Sequence, residues 1–288
     1  PHPRALARRP DWDRLGGGSD FRGVSMSEQM LESRAEASAA AVMPEFDLAR
    51  VVDRSPLRDE PFAHIQMENI FPSGFYRQLL DALPAREKFH QLYHKDAMRT
   101  DGTSTRLRMY LYRENLWRLP GVQRRLWRTM AAALSSAELE NAFKRKFRTA
   151  LEDRFQMPAE RIPLYPVPIL VRDLPGYRIG IHADSLAKAI TVQFYLPGDT
   201  SQAHLGTVFH TTKQRDVDEP VAMRFLPASG YAFAVRRKES WHSAPTTTEA
   251  DGERRSIMLT YYVDADLSMK FHRRKQRAAI FLGIYPRI

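Results

Sequence analysis

The chain has 288 residues, 43% of them hydrophobic, which is enough to bury one large domain or a domain with a helical extension. Lys and Arg number 44 against 34 Asp and Glu, a formal net charge of +10 that suits either an anionic partner or plain basic solubility. The absence of cysteine excludes disulfides, thiolate metal sites and cysteine nucleophiles and fits a reducing, cytoplasmic setting. No run of about 18 apolar residues suggests a membrane span, and the first residues hold no apolar secretory h-region.

Residues 1–25 carry Pro, Arg and the run Gly16-Gly17-Gly18-Ser19 without apolar periodicity. They read as a disordered tail, an upstream or expression-derived extension. Alanine and glutamate dominate residues 27–43, a helix by propensity. The pattern turns globular from Phe46, and Phe62 to Ile65 reads as a short strand. Phe75, Leu79, Leu80 and Leu83 form one helix face, with Ser73 as its expected N-cap. Over 105–112, Leu107, Met109 and Leu111 alternate with Arg106, Arg108 and Tyr110, a strand with one wet or substrate-facing side.

Residues 120–156 read as helical. Leu126, Met130 and Leu134 share a face, and Ser135 with Glu138 makes a capping-box pattern. Leu139, Phe143, Phe147, Leu151 and Phe155 then recur at steps of four, with Lys144, Arg145 and Arg148 expected on the solvated side.

After Pro163 short β-rich runs follow one another. Strands are expected near 165–172, 176–182, 188–196, 206–211, 221–226, 230–235, 241–244 and 255–263. The expected organisation is α+β: a mainly helical part over 26–160, a β double sheet over 161–265, and a C-terminal helix or extension over 266–288. The last segment is basic and then apolar (Ile280, Phe281, Leu282, Ile284, Tyr285) and is expected to dock back on the core.

The chemistry concentrates in the β-rich half. His182-Ala183-Asp184 ends a strand on which Tyr177, Ile179 and Ile181 point one way and Arg178, Gly180 and His182 the other, the His182 face being the inner one. His242 lies in the strand-like Ser240-Trp241-His242-Ser243. The strand that follows begins Arg254-Arg255-Ser256. Two neutral imidazoles and a carboxylate bind one face of an octahedral Fe(II) and leave three positions open. A 2-oxo acid can fill two of those and O₂ the third. Its remote carboxylate then needs a buried cation, which arginine supplies as a planar fork.

His182-x-Asp184, His242 and Arg254-x-Ser256 together resemble the signature of the Fe(II)/2-oxoglutarate oxygenases, the superfamily of the prolyl hydroxylases and many small-molecule hydroxylases, over roughly residues 165–263. The resemblance implies a double-stranded β-helix, or jelly roll. It implies Fe(II), 2-oxoglutarate and O₂ as cofactor and co-substrates, with ascorbate in vitro. His182, Asp184 and His242 would be catalytic metal ligands. Arg254 would anchor 2-oxoglutarate, with Arg255 in its place if the register slips by one, and Ser256 and Tyr195 beside it. Pro197 stands where these families usually have Asn. His204-Leu205-Gly206-Thr207-Val208 resembles their Gly-containing turn. Retention of the acid as Asp184 argues against halogenation.

Arg178 and His210 are candidate substrate contacts. Arg106 and Arg108 could serve a substrate or face outward, and Trp241 is expected to pack. His204 is a weaker site candidate, and His64, His90 and His94 are expected to be surface or structural. The implied reaction is hydroxylation of an unactivated C–H bond of a small molecule, an amino acid or natural-product intermediate, with succinate and CO₂ released. The alternatives are a peptidyl hydroxylase and a non-catalytic jelly-roll binding protein. The charge tilts the expected substrate toward an anion. The basic clusters at Arg106 to Arg113, Arg124 to Arg128, Lys144 to Arg148 and Arg273 to Arg277 are too dispersed for one nucleic-acid surface, and no base-flipping signature accompanies them.

Overall fold

Strand alternation after Pro163 is realised as two antiparallel sheets. In the computed structural model, residues 46–288 are described apart from 94, 215–216, 265–266, 283 and 285–288, with backbone alone at 95, 267–269 and 272. The expected 1–25 tail, the expected 27–43 helix and His94 lie outside the described residues.

The strands are β1 (Leu57–Arg58), β2 (His64–Met67), β3 (His90–Gln91), β4 (Arg106–Tyr110), β5 (Leu164–Asp173), β6 (Ile179–Ala183), β7 (Lys188–Tyr195), β8 (Val208–His210), β9 (Val221–Ala222), β10 (Gly230–Ala234), β11 (Trp241–Ala244) and β12 (Arg254–Val263). Eight form one sheet in the order β1-β2-β10-β7-β12-β5-β4-β3, and four form a second in the order β6-β11-β8-β9. The helices are α1 (Leu48–Arg54), α2 (Ser73–Asp81), α3 (Arg113–Leu116), α4 (Gly121–Leu134), α5 (Ala137–Lys146), α6 (Arg148–Phe155) and α7 (Leu267–Phe281). The N-terminal part is therefore more than helical. It supplies β1 and β2 to one edge of the large sheet and β3 and β4 to the other.

Period two sets the two faces of the large sheet. Leu107, Met109, Ile190, Val192, Phe194, Ile257 and Leu259 point to the helical side and join Phe75, Leu79, Trp127, Met130, Leu139, Phe143 and Leu151 in the main core. Full burial of each such side chain stabilises by roughly 1.5–3 kcal/mol. The alternate residues of the same strands face the second sheet across a cavity.

Several local expectations shift. Pro72, not Ser73, is the N-cap of α2, and it has no side chain that can accept a cap bond. Ser136 rather than Ser135 caps α5, accepting from the Leu139 N–H at 3.2 Å, so the residue at the third helical position is apolar and the capping box does not form. The 120–156 stretch is three helices, broken at Ser135–Ser136 and again at Phe147, where φ is −103° and ψ is 22°. Lys144 is buried and pairs with Glu140 at 2.7 Å, whereas Arg145 and Arg148 stay exposed and pair with Asp53 and Glu160. Of the apolar C-terminal residues, Ile280 is buried, but Phe281, Leu282 and Ile284 are exposed. The segment is tied down by polar contacts instead: Arg118 donates to the Phe281 carbonyl at 2.7 Å and Arg277 to Glu114 at 2.6 Å.

Candidate functional site

The small sheet sets the two histidines side by side. β11 pairs antiparallel with β6, and His242 stands directly opposite His182. Residues paired in that way project to the same face, and the two rings lie 4.2 Å apart between centroids. Asp184 follows immediately after β6. One donor atom from each of His182, Asp184 and His242 lies within 4.8 Å of the other two. The three could close on one divalent ion with small side-chain rotations.

Hydrogen bonding suits both imidazoles to that task. His182 Nδ1 lies 3.0 Å from the Gly180 carbonyl and His242 Nδ1 lies 3.0 Å from the Ser240 carbonyl. A carbonyl only accepts, so Nδ1 carries the proton and Nε2 keeps its lone pair for a metal. Burial pulls the His182 pKa down and that of His242 to about 4, against the opposing pull of Asp184. Both rings are thus neutral at neutral pH, as metal ligation requires.

Asp184 is held ionised. Burial alone would raise its pKa, but Lys188, His242 and hydrogen bonds outweigh it and hold the carboxyl well below its usual range. Lys188 Nζ donates to Oδ1 at 2.5 Å and Thr191 Oγ1 to Oδ2 at 2.6 Å. A carboxylate has about four lone-pair directions, so these two bonds still leave capacity for a metal.

The three residues open on a cavity of about 400 Å³ between the sheets. Arg254 lies across it on the large sheet, 1% exposed. Its Nη1 donates to Asp173 at 2.7 Å and its Nε to the Leu205 carbonyl at 2.8 Å. Around it, Gln193 donates to Ser256 at 2.7 Å, Tyr231 donates to Gln193 at 3.0 Å, and Thr207 donates to Tyr231 at 3.1 Å. The result is a polar end wall of linked groups anchored by one guanidinium.

The other candidates separate by strand parity. Arg255 is absent from the cavity lining and points to the opposite face of β12. Tyr195 and Ser256 are fully buried and also outside the lining. Tyr195 sits 5.5 Å from the Arg254 guanidinium and accepts the Thr207 N–H at 3.0 Å, so it bears on Arg254. Arg178 lines the cavity at its exposed edge. Tyr177 and Ile179, from the parity assigned outward, line it too, and the pairing of β11 with β6 shifts register between His242 and Ala244, so simple alternation does not hold along this strand.

His210 lies outside the lining. One ring nitrogen pairs with Asp218, and the other is 2.7 Å from Ser243 Oγ. His204 is on the surface, 2.9 Å from Asp251. His64 is fully buried beside Phe209. Trp241 is half-buried opposite Ala183 and is not a lining residue.

Sequence reasoning missed Thr191, Gln193, Thr207, Tyr231, Lys188 and Asp173. For two of them a signal exists: Thr191 and Gln193 are polar positions alternating with the apolar Ile190, Val192 and Phe194.

No protein-family model matches the sequence, and no curated protein matches it. Solved structures do resemble it in fold. A prolyl hydroxylase from Trichoplax adhaerens, in complex with a peptide fragment of the hypoxia inducible factor oxygen degradation domain, is 11% identical, covering 84% of this chain and 95% of that one at a TM-score of 0.46. A Burkholderia pseudomallei oxidoreductase of the 2OG-Fe(II) oxygenase family is 14% identical, covering 69% and 84% at 0.42. The non-heme alpha ketoglutarate dependent epimerase SnoN from nogalamycin biosynthesis is 14% identical, covering 79% and 83% at 0.46. These likenesses are distant, and the chemistry is carried by the residues of the site itself. Among the described residues no helix is long and apolar enough to cross a membrane.

Proposed function

We propose that the chain is an Fe(II)- and 2-oxoglutarate-dependent oxygenase built on a double-stranded β-helix, hydroxylating an unactivated C–H bond of a small molecule. One observation carries the reading: two neutral imidazoles and an ionised carboxylate converge at one point of a cavity whose far wall presents a buried arginine. That donor set suits ferrous iron and leaves one face of the ion open.

His182 and His242 would bind iron through Nε2, and Asp184 through a carboxylate oxygen. When bound, ferrous iron with 2-oxoglutarate and O₂ supplies the oxidising power, the co-substrate leaving as succinate and CO₂. Arg254 would take the remote carboxylate of 2-oxoglutarate in its fork. Gln193, Thr207 and Tyr231 hold the wall around that fork in one arrangement. Two facing sheets exclude water from the space between metal and substrate. Lys188 and Thr191 keep Asp184 ionised and aimed.

The test is 2-oxoglutarate turnover to succinate with Fe(II) and ascorbate, with anaerobic titration of Fe(II) and 2-oxoglutarate followed by visible absorption. A charge-transfer band and succinate formation are expected, both lost in His182→Ala and Asp184→Ala while the circular dichroism spectrum is unchanged. Full turnover in either variant would remove the ligand assignment. A wild-type protein with neither band nor succinate would be a binding protein on this fold.

A further inference from the structure

We infer that the outer face of the C-terminal helix, α7, is a docking surface for an anionic lipid bilayer. The inference does not depend on the oxygenase reading.

The first support is the way α7 is packed. A helix on a globular domain ordinarily turns its apolar stripe to the core. Here the inner face is Arg273, Gln276, Arg277 and Ile280, recurring at steps of three and four. Arg273 pairs with Asp264 at 3.2 Å and lies over the Tyr165 ring. Arg277 pairs with Glu114 at 2.6 Å and lies over the Tyr112 ring. Gln276 is 3.4 Å from the Tyr110 hydroxyl. Ile280 is the one fully buried side chain among the described residues of the helix. Polar and cation–π contacts therefore hold α7 to the domain.

The second support is what this leaves outside. Phe271, Ala278 and Leu282 are exposed, Phe271 and Leu282 at 70% each. The Leu282 N–H donates to the Ala278 carbonyl at 3.1 Å, so the last turn reaches residue 282. At 3.6 residues per turn those three side chains fall within about 40° of one another around the axis. Phe281 is exposed beside them, and Arg118, which donates to the Phe281 carbonyl, follows the exposed Trp117 in the chain. Adjoining exposed apolar side chains of this size mark a surface that something covers.

The third support is charge, and it selects the occupant. Arg274 and Lys275 are exposed and flank the apolar stripe, one on each side. From Leu267 to Ile288 the sequence holds six Lys and Arg and no Asp or Glu. The nearby Asp264 and Glu114 are taken by Arg273 and Arg277 on the inner face. A second copy docking symmetrically would set Arg274 and Lys275 against their own kind. A bilayer with acidic headgroups offers an anionic layer above an apolar one. That order matches cations flanking an apolar stripe, as in helices that lie in the membrane interface. An exposed tryptophan beside the stripe suits the same depth.

The test is sedimentation of the full-length protein with vesicles of phosphatidylcholine and phosphatidylserine at about a 2:1 ratio, and with phosphatidylcholine alone. Binding should be at least about tenfold stronger to the acidic vesicles and should fall as salt rises. Phe271→Ser with Leu282→Ser should weaken it at least about tenfold, as should Arg274→Glu with Lys275→Glu. The circular dichroism spectrum and thermal midpoint should not change, because all four side chains are exposed. Trp117→Ser lies on another element and should weaken binding by about threefold or more, which keeps the test should an α7 variant fail to fold. Arg86→Glu with Lys88→Glu makes the same charge change on a distant exposed turn and should leave binding within about threefold. Equal loss in that control overturns the inference, since net charge alone would then explain the binding. Equal binding to both vesicle types, or none to the acidic ones, also overturns it. A dimer seen by light scattering and lost in Phe271→Ser with Leu282→Ser would assign the face to a second copy instead.

Discussion

Arg106 and Arg254 meet on one carboxylate. Asp173 accepts from Arg106 Nε at 2.5 Å and from Arg254 Nη1 at 2.7 Å, although the two arginines belong to β4 and β12, on either side of the strand that carries Asp173. Asp173 is fully buried, so its charge is the compensation for both guanidiniums. Removing one partner of a buried ion cluster typically costs about 3–5 kcal/mol. Asp173→Asn should therefore lower unfolding stability by about that amount in urea titration. Saturating 2-oxoglutarate should restore part of it, because a ligand that binds only the folded state stabilises that state. An unchanged midpoint would show that the pair of arginines needs no counter-charge.

Arg254 and Arg255 give opposite expectations. Arg254 lines the cavity, and Arg255 projects from the other face of β12. Arg254→Gln should weaken 2-oxoglutarate binding by roughly 10- to 100-fold, the worth of a lost charge-assisted pair, with a smaller effect on metal affinity. Arg255→Ala should leave the co-substrate affinity within about twofold. Anaerobic titration of 2-oxoglutarate into the metal-loaded variants reads both, and a reversed order would mean the anchor sits on the wrong side of the strand.

Thr191 would act on a bound metal through Asp184. Its hydroxyl donates to Asp184 Oδ2 at 2.6 Å from β7, a strand of the opposite sheet. Groups that orient a metal ligand are commonly worth about 10- to 100-fold in metal affinity. Thr191→Val keeps the shape and removes the donor. It should weaken Mn(II) binding by about tenfold or more, read by paramagnetic resonance titration. Wild-type affinity would show that Lys188 alone suffices to aim the carboxylate.

Gly206 stands where two backbones touch. A Cβ added there would lie 1.3 Å from the Met223 carbonyl oxygen, which is main chain and cannot swing aside. The preceding carbonyl, that of Leu205, accepts from Arg254. Gly206→Ala should cost at least about 3 kcal/mol, the upper range for overpacking, and should lower the thermal midpoint even with metal and co-substrate present. A midpoint within 1 °C or so of the wild type would mean that the loop at 203–206 is free to shift.

The local features can be read from the order of residues alone. The ligand types and the spacing of His182 and Asp184 follow from residue identity. The polar and apolar alternation in 105–112, 188–196 and 255–263 follows from period two, which is a property of one strand. Helix ends at 135–136 and 147 were less legible, because adjacent serines offer competing caps and an unbroken step of four hides the bend at Phe147. The remainder depends on how distant strands pair. Only the pairing of β11 with β6 sets His242 against His182, and only the facing of the two sheets turns the Arg106–Arg108–Tyr110 side of β4 into a cavity wall. Period two assigns residues to two faces but carries no information about which face another sheet covers. That is settled by long-range pairing and by the burial of the opposite, apolar face against the helices.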